Sequence, residues 1–323
     1  MPMHRLTSIT IGVPNVQETA EYYKDFGLIP AKNEIVSAYS AEGLIQAKEH
    51  RFSTVDGGEQ LRIVHSPRRR LMQVGIGVED PDDLGSIASK LRRLDLTVNR
   101  DETSLTMEDP GSEVRVRVEI APKLAQDPIP WPANNGPGRF DRVNERAAGV
   151  LREQKVHPRK LGHVVIGSTD QEASTKFFTD GLGFKISDTV PFLASFMRCS
   201  TDHHNILVQQ APVSYLHHTS WQVEDIDEIG RGATAMLAKD PERHVWGLGK
   251  HFVGSNYFWY LRDPAGNFSE YYSDIDCIVD DQLWTPGVWE GDYGLYKWGP
   301  PPPPSFLAPE DLAGLMAGVH GSE

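Results

Sequence analysis

Three residues in the second half of this chain are of metal-ligating type, at positions where the first half has none. The segment Leu161-Gly162-His163-Val164-Val165-Ile166-Gly167 echoes Leu6-Thr7-Ser8-Ile9-Thr10-Ile11-Gly12. The run from His218 to Asp225 parallels that from Gln73 to Asp80, and Leu261-Arg262-Asp263-Pro264 parallels Met107-Glu108-Asp109-Pro110. Aligned in this way, His163, His218 and Glu270 stand opposite Ser8, Gln73 and Val116. Two imidazoles and one carboxylate on one face of a metal form the ligand set of non-haem Fe(II) oxygenases, which leaves positions open for substrate oxygens and O2. An internal repeat that keeps the set in one copy predicts a duplicated scaffold with a single live metal site.

The ordinary reading of each residue is a packed side chain. The chain has 12 histidines, and a histidine beside an apolar strand is usually hydrogen-bonded core. The repeat weighs against that here. Ser8 and Gln73 show that the scaffold does not need histidine in those slots. Val116 suggests that the third slot points inward, where a carboxylate needs a partner and a metal is a good one.

The elements that must position these residues alternate short strands with amphipathic helices. The pattern predicts a strand over 6–13, a helix over 16–26 capped by Asn15 and stopped at Gly27, then strands over 60–64 and 71–78. A helix over 81–94 and strands over 104–107 and 114–120 complete the first half. The second half repeats the layout, with strands over 163–166, 185–187, 195–199, 205–209, 218–223, 257–261 and 269–272. Its helices are expected over 171–181 and 226–238. This is an α+β pattern, expected as an N-terminal domain over 1–120, a linker over 121–158, a C-terminal domain over 159–276 and a tail over 277–323. The tail holds Trp284, Trp289 and Trp298 and the run Pro300–Pro304. The tryptophans are expected to pack it onto the domain.

At 323 residues the chain has room for two domains, each with its own core. Its 39% apolar and 24% charged residues are those of a globular protein. No apolar run is long enough for a membrane span, and the first residues have no signal-peptide pattern. Two cysteines provide no disulfide framework, so a reducing, cytoplasmic setting is expected. A net charge of −13 argues against a nucleic-acid surface. The basic run Arg68-Arg69-Arg70 reads as a solvated turn.

With these residues in view, the chain resembles the type I extradiol ring-cleavage dioxygenases of the vicinal oxygen chelate superfamily. The resemblance spans about residues 1–290 and is most specific over 160–275. It rests on Leu161-Gly162-His163-Val164, on Asp202-His203-His204-Asn205, on Leu216-His217-His218-Thr219, on Gly249-Lys250-His251 and on the run from Tyr257 to Tyr271. It implies four βαβββ modules paired into two domains, with iron in the C-terminal cup and a degenerate N-terminal cup. A homo-oligomer is also implied. His163, His218 and Glu270 would hold Fe(II), with Mn(II) also suited to the set. His204 would be the acid–base group, and His251 and Tyr260 would hydrogen-bond the substrate oxygens. The substrate would be a catechol, cleaved with O2 in the breakdown of aromatic compounds.

His203 and His217 are expected to face away from their neighbours if both segments are strands, because side chains alternate. The chain departs from the family over Phe252-Val253-Gly254-Ser255, where many relatives carry Asn and Asp. That predicts a more apolar distal pocket, which Phe192, Phe196 and Val253 could line. Lys250 and Arg262 are the only cations in these motifs, so a charged ring substituent is not indicated. Two other readings share the fold: a glyoxalase-like metal-dependent isomerase and a metal-free ligand-binding protein.

Overall fold

Apolar alternation sets the central strands: in the first, Leu6, Ile9, Ile11 and Val13 are all buried. The computed structural model describes residues 2–31, 35–40 and 43–320. The first half runs β1 (Met3–Val13), α1 (Val16–Asp25), β2 (Ile29–Pro30), β3 (Ile35–Ser40), β4 (Gly43–Lys48), β5 (His50–Thr54) and β6 (Gly58–His65). It continues through β7 (Arg70–Val78), α2 (Pro81–Arg93), β8 (Asn99–Arg100), β9 (Ser104–Glu108) and β10 (Arg115–Ile120). A connecting stretch holds only β11 (Asn135–Gly136), β12 (Arg139–Phe140) and α3 (Ala148–Leu151). The second half runs β13 (Lys160–Ser168), α4 (Gln171–Lys176), β14 (Lys185–Val190), β15 (Ala194–Arg198) and β16 (Ile206–Gln210). Then come β17 (Tyr215–Gln222), α5 (Ile226–Lys239), β18 (His244–Lys250), β19 (Tyr257–Arg262) and β20 (Phe268–Ser273). The tail adds β21 (Gly287–Val288), α6 (Pro304–Leu307) and α7 (Leu312–His320).

The two large sheets have the same plan. One is ordered β2-β5-β6-β1-β7-β10-β9-β8, the other β18-β19-β20-β17-β13-β16-β15-β14-β21. In each, the leading strands of two modules pair antiparallel at the centre, β1 with β7 and β13 with β17. Each leading strand is flanked on its other side by the last strand of its own module, in parallel. This is the α+β arrangement of four βαβββ modules.

Helix starts follow sequence chemistry. Asp80, Asp170 and Asp225 each accept a hydrogen bond from a first-turn backbone N–H. Asn15 does not cap α1 in this way. Its amide instead donates to the Pro264 carbonyl of the second half, at 2.9 Å. Gly27 ends the helix as expected, at φ 101°. The helix expected over 171–181 changes at Phe177 into a wide π turn that Gly183 closes.

A separate core for each half was expected, but one apolar cluster takes residues from both. Phe26 stacks on Tyr271 with ring centroids 3.9 Å apart, and the Tyr271 hydroxyl donates to the Phe26 carbonyl. Ser269 and Tyr23 share a hydrogen bond of 3.1 Å. The reason is packing: Tyr23 of α1 and Phe26 just after it lie against Ser269 and Tyr271 of β20, so the two halves share one interior.

Candidate metal centre and active-site cavity

Sheet register explains how residues far apart in sequence meet. Ser220 of β17 lies opposite His163 of β13 on one side and Glu270 of β20 on the other. Glu270 in turn lies opposite Tyr260 of β19. Side chains directly across neighbouring strands share a face, so His163, Glu270 and Tyr260 form one row. His218, two residues from Ser220, points to that same face. The ligand atoms of His163, His218 and Glu270 lie within 4.8 Å of one another.

The site fits a metal on its own chemistry. All three side chains are buried. Glu270 Oε2 is 3.1 Å from His163 Nε2 and 3.7 Å from His218 Nε2. Both His218 Nε2 and Glu270 Oε2 lack a hydrogen-bond partner within the protein, and a buried group left so is costly unless something else binds it. Burial pushes Glu270 up, but the imidazoles of His163, His251 and His218 around it outweigh that and hold the carboxyl well below its usual range. Burial, with His217 beside it, keeps the His218 imidazole neutral. A carboxylate and two imidazoles suit a divalent ion of the Fe(II) or Mn(II) kind.

A relay sets which nitrogen of His218 is free. His217 Nε2 is 2.7 Å from the Phe306 carbonyl and therefore donates its proton there. Its Nδ1 must then accept, and His218 Nδ1–H is the donor at 2.8 Å. His218 Nε2 is left bare, as a ligand must be. The same logic recurs at His204. His203 Nε2 donates to Asp188 at 3.0 Å, and His203 Nδ1 accepts from His204 Nδ1 at 3.1 Å. His204 Nε2 remains as a free acceptor. Burial, then the nearby imidazoles, push the His204 pKa well below its ordinary value.

Neither His203 nor His217 faces away from its neighbour, as strand alternation predicted. His217 is the extra residue of a β-bulge, since Val165 pairs with His218 but Ile166 with Leu216. His203 and His204 lie in a turn before β16 and not in a strand. Asn205 fixes that turn: its Nδ2 donates to the Gly162 carbonyl at 3.0 Å, and its Oδ1 accepts from the Cys199 and Ser200 amides. The His204 ring thereby stands 4.1 Å from that of His163.

The other expected residues gather on the same side. His251 Nδ1 donates to the Leu295 carbonyl, so its Nε2 accepts the Tyr260 hydroxyl at 2.9 Å. Asn256, absent from the sequence expectation, donates to Glu270 Oε1 at 3.1 Å and leaves Oε2 free. Its position four residues before Tyr260 is a signal that could have found it.

A cavity of about 480 Å³ opens over the triad. His204, His251, Tyr260, Phe196 and Val253 line it, with Leu295 and Phe306 from the tail, and no lysine or arginine is among the lining residues. Phe192, expected there, is instead 98% exposed. It sits in the β14–β15 turn at φ 60°, which turns its ring outward, and Leu193 reaches the cavity in its place. The tail packs onto the domain through buried Phe306 and, as expected, through its tryptophans: Trp284 donates to the Ser187 carbonyl at 2.8 Å, Trp289 meets Phe252, and Trp298, 44% exposed, lies against Tyr257.

The degenerate copy has the same two bulges. Leu6 and Ser8 pair with Ile76 and Gly75 around one, and Thr10 and Ile11 with Gln73 and Leu71 around the other. Ser8 and Gln73 are thus the true counterparts of His163 and His218. Glu270, however, corresponds to Arg117, which lies opposite Gly75, and not to Val116. The loop after Asp109 is one residue longer than that after Asp263, which shifts the register. A guanidinium therefore stands where a ligand carboxylate would be.

The profile of the Glyoxalase/Bleomycin resistance protein/Dioxygenase superfamily matches residues 160–271. Metapyrocatechase 2 of Cupriavidus necator is 30% identical over 316 residues, covering 94% of this chain and 92% of that protein. The chain belongs to this superfamily. Its curated relatives include an iron-dependent extradiol dioxygenase of Rhodococcus jostii (strain RHA1), 29% identical over 38% of this chain and 46% of that protein. Another is the manganese-dependent 2,3-dihydroxybiphenyl 1,2-dioxygenase of Geobacillus genomosp. 3, 27% identical over 45% of this chain and 50% of that protein. A solved 2,2',3-trihydroxybiphenyl 1,2-dioxygenase from Sphingomonas wittichii strain RW1 superposes with a TM-score of 0.68 at 19% identity, covering 93% of this chain and 100% of that one. A Mn(II)-bound glyoxalase from Novosphingobium aromaticivorans gives 0.70 at 21%, over 94% and 95%. Both structures share the fold. No helix among the described residues is long and apolar enough to cross a membrane.

Proposed function

We propose that this protein is an extradiol dioxygenase that opens a catechol ring with O2 at a site held by His163, His218 and Glu270. The observation that supports the reading most is the pairing of two features in one cavity. The unpartnered Nε2 of His218 and carboxylate oxygen of Glu270 face each other, and the His204 imidazole, kept neutral by burial, stands beside them. Bound Fe(II), or Mn(II), would supply the redox-active Lewis acid at which the diol oxygens and O2 meet.

The chain's own residues do the rest. His204 Nε2 takes a proton from a catechol hydroxyl and can return it later. Tyr260, held by His251, orients the other diol oxygen through its hydroxyl. Asn256 keeps one Glu270 oxygen engaged, so the carboxylate offers only the other. Phe196 and Val253 exclude water and pack the ring. The volume exceeds what a bare catechol needs, and no cation lines it. Catechols with an uncharged apolar substituent are therefore the preferred substrates.

An isomerase of this superfamily would form its product without consuming O2. Anaerobic metal analysis and oxygen uptake with a catechol panel separate the readings. The expected result is one Fe or Mn per chain, O2 consumed one-to-one with substrate, and a yellow ring-opened product. Metal-replete protein that consumes no O2 with any catechol would remove the dioxygenase reading.

A further inference from the structure

The basic run Arg68-Arg69-Arg70 is not a solvated turn. Arg69 is only 4% exposed. It projects from the half that carries no ligands and grips two parts of the other half. Its Nη1 donates to the Leu216 carbonyl at 2.8 Å and to Asn267 Oδ1 at 3.3 Å. Its Nε and Nη2 engage both oxygens of Asp311, at 2.5 and 2.7 Å. Leu216 directly precedes the His217–His218 bulge. Asp311 belongs to the strap over 294–312 that roofs the cavity.

The strap returns to the metal site at Phe306. The Phe306 ring is 4.7 Å from Tyr260 and 4.8 Å from His217, centroid to centroid. The Phe306 carbonyl accepts the His217 proton, which obliges His217 to accept from His218 and bares the ligand nitrogen. Closure of the strap and readiness of the ligand are thus linked by one carbonyl.

We propose that the C-terminal strap is a working part of the metal centre, in which the Arg69–Asp311 pair latches the strap so that Phe306, acting through His217, holds His218 in its ligating tautomer. Arg69, Asp311 and His217 are positioning residues; none is placed as a ligand. Partners that orient a ligating histidine in this way typically change metal affinity 10–100-fold. The inference rests on the metal reading of the triad, not on which substrate is cleaved.

The test measures metal release from the loaded full-length protein to a chelator, with deuterium exchange over the strap read in parallel. Asp311→Asn keeps the shape and an acceptor for Arg69 and removes the charge at a half-exposed site. It should speed exchange in the strap and speed metal release about 10-fold. His217→Phe, which removes the acceptor, should speed release by about 10–100-fold. In the double variant Asp311→Asn should add little, because its route to His218 is already cut. Should the His217 variant not fold, the Asp311→Asn release rate alone decides. Wild-type release in Asp311→Asn, or effects that multiply in the double variant, would overturn the linkage while leaving the dioxygenase reading intact. A protein that takes up no divalent metal would overturn both.

Discussion

At the scale of single residues, two histidine pairs carry the design. In each, the inner histidine keeps a bare Nε2 because the outer one has an acceptor of its own, the Phe306 carbonyl or Asp188. One bare nitrogen points at the triad and the other lines the cavity. His204→Ala should therefore keep its metal and lose on the order of 10²–10⁴ in kcat; wild-type turnover would remove the acid–base role. His218→Ala or Glu270→Ala should lose metal and turnover together, as elemental analysis and oxygen uptake would show. Arg117→Ala should leave metal content at one per chain, since that half offers no carboxylate in the equivalent slot. The triad was legible because the repeat supplied its own control, a second copy without histidine. The Arg117 equivalence was not, because one added residue in a loop shifts a strand by a whole register step.

At the scale of elements, bulges and loops decide what alternation cannot. The bulge at His217 turns two consecutive residues toward one site, and the bulge at Gly162 sets the phase of His163. Gly162 is required there: a Cβ would lie 2.0 Å from the Tyr272 hydroxyl. The β19–β20 loop, which sets the register of Glu270, turns around Asp263. Its carboxyl accepts from the Ala265 and Asn267 amides and the Asn267 side chain. Burial, against those hydrogen bonds, pushes Asp263 up to about 6. A carboxyl raised on folding contributes stability that is full below its unfolded pKa and is lost as pH rises through the folded one. Wild type should thus lose stability relative to Asp263→Asn between about pH 4 and pH 7, by at most about 3 kcal/mol. Urea unfolding across that range measures it, and a difference that stays flat with pH would sink the assignment.

At the scale of the whole molecule, the half without ligands is not a spare. Phe26, just after its α1, stacks on Tyr271 of β20, one residue from Glu270. Phe26→Ala should cost about 3–5 kcal/mol. It should also lower activity, although Phe26 belongs to the other half. Unfolding followed by probes in either half should show one shared transition; two separate transitions would show that the halves are independent. The sequence by itself determined the repeat, the alternation of strands and helices and the three residues of metal-ligating type, because those depend on local periodicity and on residue type; the roles proposed for His204, His251 and Tyr260 follow from the family resemblance. Only the tertiary structure decided that the halves share one core, that Phe192 turns outward, that the basic run grips the tail, and that Asn256, Asp188 and Phe306 support the site. Such pairings depend on bulges, loop lengths and contacts between residues up to hundreds of positions apart, and no local pattern in a chain encodes where such partners will meet.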